Sequence, residues 1–152
     1  MLRGNNQLTG VALLEIYDLE ESADSKVANL STRAFVQTGD DVVIGGFQLG
    51  GIGPRNVVVR GIGPSLARFG LTNVLLDPTL ELRDNNGTLL MANDNWKDND
   101  AQAHVIKIIG LGPTDNRESA MIANLPPGPY TAIVAGKNGT IGVGLVEIYN
   151  LD

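Results

Sequence analysis

The chain has 152 residues, the size of one ordinary domain, and with 43% hydrophobic but only 5% aromatic residues its core must be aliphatic. Zero Cys excludes disulfides, thiolate metal sites and cysteine nucleophiles, and a single His excludes a multi-histidine metal site within one chain. A net charge of −6 without a basic cluster argues against nucleic acid as a partner.

Strand signals begin at once. Residues 10–20 read GVALLEIYDLE and residues 142–152 read GVGLVEIYNLD, an offset of 132. From Gly4 to Leu19 nine of sixteen positions are identical to their counterparts. The pattern predicts a unit of about 132 residues, preceded by the last hairpin (residues 1–20) of another such unit. Residues 21–152 then form one complete unit, as in a tandem array. Residues 20–26, EESADSK, read as the linker. An orphan strand with an apolar face has to pair, in cis or with a neighbouring copy. Val11, Leu13, Leu14, Ile16 and Tyr17 are therefore the expected assembly residues.

Further strands are predicted at Ala34–Val36, Val42–Phe47, Asn56–Arg60, Thr79–Arg83, Thr88–Ala92, Ala120–Ala123, Tyr130–Ala135 and Gly142–Tyr149. Gly, Pro, Asn and Asp punctuate them. Asn85-Asn86-Gly87 and Asn138-Gly139 are hairpin signals, because positive φ favours Asn and Gly. Pro64–Phe69 has room for one helical turn. Residues 99–109 place Ala103, Ile106 and Ile109 on one helical face, with Asp98 or Asn99 as N-cap and Gly110 just beyond the end. Many short strands with one or two short helices predict an all-β antiparallel sandwich, jelly-roll-like.

The run from Asp77 to Trp96, then Leu125–Val134 and Gly142–Tyr149, resembles bacterial pre-peptidase C-terminal domains. The segments Asn29–Phe35, Ile44–Phe47 and Arg60–Leu66 are similar to tandem repeats in large secreted proteins of environmental bacteria such as Verrucomicrobia. The resemblance implies a jelly-roll-like β-sandwich, an extracellular or cell-surface location, and a module appended to enzymes rather than catalytic itself, in some cases calcium-binding. No basic, apolar leader opens the sequence, so no signal peptide is expected within it. No apolar run approaches the ~20 residues of a helical membrane span.

Hard oxygen ligands concentrate in residues 93–100. Asp94, Asn95, Asp98 and Asp100, with Asp77 and Asp84 flanking the preceding hairpin, are candidate Ca²⁺ ligands, although the spacing lacks the Gly and terminal Glu of an EF-hand. The alternative is a solvated Asx-turn loop. Trp96, the only tryptophan, is either an exposed platform for a sugar ring or a core plug. His104 is a candidate base for a metal-assisted ester or phosphoester hydrolase; the alternative, the commoner role of a lone surface histidine, is an inert one. Ser65 fails the Gly-x-Ser-x-Gly elbow, since Ala67 stands where the second Gly belongs. Glu15 and Glu147 share a repeat position and read as structural. The expected function is a non-catalytic structural, adhesive or ligand-presenting module, self-assembling by strand donation of residues 8–19. Its partners are other copies of itself or neighbouring repeats, or a polysaccharide. Metal-dependent hydrolysis and carbohydrate binding through Trp96 are the alternatives.

Overall fold

The computed structural model describes residues 29–151. Residues 1–28, with the expected first strand, its five assembly residues and the boundary at residue 20, lie outside the described residues. Eight strands follow: β1 (Asn29–Val36), β2 (Val43–Leu49), β3 (Arg55–Ile62), β4 (Pro78–Asp84), β5 (Leu89–Asn93), β6 (Ser119–Leu125), β7 (Gly128–Gly136) and β8 (Gly142–Asn150). One α-helix, α1, spans Asp100–Ile108, and Pro64–Phe69 forms a 3-10 helix. The described chain is the expected all-β antiparallel sandwich. Its strand orders are β1-β8-β3-β6 (sheet A) and β2-β7-β4-β5 (sheet B), the jelly-roll arrangement. The chain changes sheet at every connection except the β4–β5 hairpin.

Alternation builds the core. Val57, Val59, Met121, Ala123, Val146 and Ile148 of sheet A meet Val43, Leu80, Leu82, Ala132 and Val134 of sheet B in one buried cluster. Burying a side chain of this size contributes about 1.5–3 kcal/mol. In β3 the run Val57-Val58-Val59 is fully buried on both faces. Val58 points away from the inter-sheet core into a second cluster with Trp96, Ile106 and Ala120. That second layer is α1 lying on the outer face of sheet A.

Asn99 caps α1, its side-chain oxygen accepting from Gln102 N at 3.1 Å. Ile106 is buried, but Ile109 is 40% exposed, contrary to the expected apolar face. The helix ends at Ile108, and the chain turns through Gly110 at φ 77°. Leu111 N closes the turn on Ile106 O at 3.0 Å, and Leu111 takes the place in the cluster that spacing assigned to Ile109.

β1 starts five residues earlier than expected. Apart from Leu30, Asn29–Arg33 is polar, and tertiary pairing with β8, from Asn29 opposite Tyr149 to Val36 opposite Gly142, makes it a strand. Gly142 is required there because a Cβ would lie 2.6 Å from the Val74 backbone, which bridges to Val143.

Candidate functional site

Strand directions sort the loops into two poles. β1 begins and β8 ends at the same pole, with Asn29 directly opposite Tyr149. The short connections 50–54, 85–88 and 126–127 lie there too. At the opposite pole stand 37–42, 63–77, 94–118 and 137–141, which include every longer connection. Of the candidate site residues, Ser65, Asp77, Asp94, Asn95, Trp96 and Asp98 belong to these loop-pole connections, Asp84 ends β4 at the other pole, and His104 lies on α1 over the outer face of sheet A.

Two of the candidate calcium ligands converge there, on an ammonium. Lys137 Nζ donates to Asp94 Oδ2 at 2.5 Å and lies 3.9 Å from Asp77 Oδ2. The Asp94 carboxylate, through that hydrogen bond above all, holds the Lys137 ammonium above its usual range. Each aspartate keeps a second, buried oxygen, Oδ1, without a hydrogen-bond partner. The other proposed ligands are elsewhere. Asp84 is at the far end of β4, about 20 Å away at ~3.3 Å per residue, and accepts from Asn86 N and Thr88 N, both at 2.8 Å. Those backbone donors, Thr88 first, lower its pKa. Asp98 accepts from Asn95 Nδ2 at 3.1 Å, and Asp100 opens α1. The six residues therefore do not surround one point, because a strand separates two of them and local turns take up others. Among the described residues, no three His, Asp or Glu side chains gather as a metal-holding group.

Trp96 is a core residue, 5% exposed. Its ring lies against Gly112, where a Cβ would come within 3.1 Å, and Lys97 Nζ sits 5.0 Å from the ring centroid. The indole N–H has no partner, and the ring is not presented as a platform. His104 is exposed on α1. A groove of about 690 Å³ between β5 and β6 is lined by only two titratable groups, Asp84 and Tyr130, and the Tyr130 hydroxyl donates to Pro126 O at 2.8 Å. Neither His104 nor the Asp94–Asp100 loop lines it.

The most constrained carboxylate is one the sequence did not single out. Glu118 is 0% exposed, and its Oε1 accepts from Gly63 N (3.1 Å), Ser65 N (2.9 Å) and Ser65 Oγ (2.6 Å). Oε2 accepts from Asp115 N at 3.3 Å. Ser65 thus donates to a buried carboxylate that ties down the 63–65 bend. Gly63 is needed at this bend, since a Cβ would fall 2.0 Å from Leu75 O. Ser119 Oγ is within hydrogen-bond distance of three carbonyls, those of Pro78, Asn93 and Asp94, and fastens the acidic loop to β6.

On the outer face of sheet A, Arg60 Nε and Nη2 donate to Glu147, Nη1 donates to Leu111 O at 2.9 Å, and Nη2 donates to the Tyr149 hydroxyl at 3.1 Å. That hydroxyl donates in turn to Glu147 Oε1 at 3.0 Å, and burial raises its pKa. Glu147 is structural, as its repeat position suggested. Arg60 carried no sequence signal beyond being a charge between apolar residues. No family model matches the chain, and no curated protein is similar to it at a significant level.

Proposed function

We propose that the protein is a non-catalytic β-sandwich module, one unit of a tandem array of the extracellular kind, which presents its loop pole to a ligand. The separation of the poles carries this reading. The chain enters at Asn29 and leaves at Asn150 on adjacent strands, so a tether to neighbouring units would leave from one end. The long loops, and with them Lys97, Asp98 and Lys137, lie at the other end, clear of it. Sandwiches that bind through loops place them in this way on a rigid scaffold. Three polar groups with nucleophilic or acid–base chemistry are tied into the frame: Ser65 to Glu118, Asp94 to Lys137, Glu147 to Arg60.

The test is retention of the full chain on insoluble polysaccharides and cell-wall material. Lys97→Ala and Asp98→Ala at the loop pole are expected to lower retention, and Asn85→Ala at the tether pole to leave it unchanged. Retention lost only with Asn85→Ala would overturn the polarity of the module. Ester or phosphoester hydrolysis abolished by His104→Ala would replace the reading with the enzymatic one.

A further inference from the structure

We infer that the outer edge of β1 is the acceptor site for residues 10–17 of a second copy of this chain, added antiparallel in the register that β8 already uses on the inner edge. The inference rests on reading residues 8–19 as an assembly strand and names where that strand lands.

The edges of this sandwich are not treated alike. Edge N–H groups of β6 are taken by side chains: Ala120 N donates to Asn93 Oδ1 at 2.9 Å, and Ile122 N to Gln102 Oε1 at 3.1 Å. β5 is five residues long and its pairing with β4 is broken by a register shift at Leu82/Arg83. Short, bulged or side-chain-covered edges resist further pairing. β2, the other edge of sheet B, is seven residues long without Pro or charge, so it too is unprotected, and what distinguishes β1 is its fit to residues 10–17. β1 has none of these protections. It is eight residues long, contains no Pro, carries one charge, Arg33, and among the described residues no strand pairs with its outer edge. Its inward-facing residues are also under-covered. Thr32 and Ala34 lie opposite Val146 and Gly144 on the core side, yet both are exposed, and on the other face Phe35 is 48% exposed.

Residues 10–17 match what this edge lacks. β1 accepts β8 with Leu30 opposite Ile148, Thr32 opposite Val146 and Ala34 opposite Gly144. The repeat supplies Ile16, Leu14 and Ala12 at those positions, an apolar row that would extend the core past Thr32 and Ala34. On the outer face it supplies Val11 opposite Phe35, and Glu15 one pair from Arg33, so opposite charges lie diagonally across the strands. The connector, residues 18–28, holds no Gly, Pro or Asn. The tight turns of this fold use Asn and Gly, with Gly87 at φ 78° in the β4–β5 hairpin and Asn138 at φ 53° in the β7–β8 crossing. With Asp and Ser but no Gly or Asn for a tight positive-φ turn, the connector suits a spacer, and its eleven residues span up to ~35 Å when extended, enough to reach another copy. Two copies donating to each other form a closed two-fold dimer.

The cysteine-free chain makes the test direct. In full-length Val11→Cys/Phe35→Cys, mild oxidation is expected to give a disulfide between chains and a dimer mass by light scattering, while the shifted pair Leu13→Cys/Phe35→Cys gives far less. Arg33→Glu is expected to weaken the dimer about tenfold through its like charge with Glu15, and Glu15→Arg/Arg33→Glu to restore it. A disulfide within one monomeric chain would overturn the inference by placing the strand in cis. A dimer without the 11–35 disulfide would keep self-assembly and overturn β1 as its site, and a monomer with neither would overturn both.

Discussion

Glu118 shows how one buried acid organises a bend. Its carboxylate answers two backbone N–H groups and a hydroxyl at the 63–65 bend and a third N–H at residue 115. Truncation strands these donors in the interior, where an unsatisfied group costs about 1–3 kcal/mol. Glu118→Ala should therefore lose about 3 kcal/mol or more in urea denaturation, and Glu118→Gln clearly less; equal losses would show that volume, not acceptance, matters. Asp115 is the acid-sensitive counterpart. Its hydrogen bonds from Arg117 hold it down to about 2, below the ordinary 3.8. A pKa depressed in the folded state stabilises above the ordinary value, and that contribution is lost as pH falls from about 4 to 2. Asp115→Asn should flatten the stability profile in that window alone, measured by thermal unfolding against pH.

At the scale of elements, α1 is held to sheet A by Trp96 and Ile106 packing on Val58 and Ala120. Large-to-small changes at such aromatic sites cost about 3–5 kcal/mol. Trp96→Ala is expected to lose that much and to release the 94–118 connection to proteolysis. As the only tryptophan it also reports on itself: emission should be blue-shifted and poorly quenched by iodide, whereas ready quenching would return it to the surface. The acidic loop is a second such element, with Lys137 standing between Asp77 and Asp94. These partners are about one third exposed and screened by solvent, so Lys137→Met should cost little stability. It also leaves two facing carboxylates, so Ca²⁺ should raise the Tm of Lys137→Met more than that of the parent chain. Equal shifts would mean that the pair offers no cation site. How these elements were legible differs. The β4–β5 hairpin follows from its Asn-Asn-Gly turn, and α1 from its cap and Ile106, because those signals are local; the expected hairpin at Asn138-Gly139 is instead a tight crossing from one sheet to the other, since β7 and β8 do not pair. The first half of β1 was not legible, since its polar residues become a strand only by pairing with β8 across more than a hundred residues.

Across the whole molecule, the jelly roll turns a linear list of polar motifs into two unlike poles. Asp77 and Asp84 flank one hairpin in the sequence, yet β4 carries them to opposite ends. Asp77 and Lys137 are far apart in sequence and close in space, with Lys137 N donating to Asp77 O at 2.9 Å. Residue by residue, the amino-acid sequence determined the fold class, the turns, the aliphatic core and the kinship of residues 10–19 with β8, because alternation, turn chemistry and repetition are local properties of a chain. Only the tertiary structure decided that Glu118 and Arg60 are structural centres, that Trp96 is core, that the candidate calcium ligands divide between a lysine and separate turns, and that among the described residues no strand pairs with the outer edge of β1. Each of these depends on which strands become neighbours, and that is set by burying both sheets against each other.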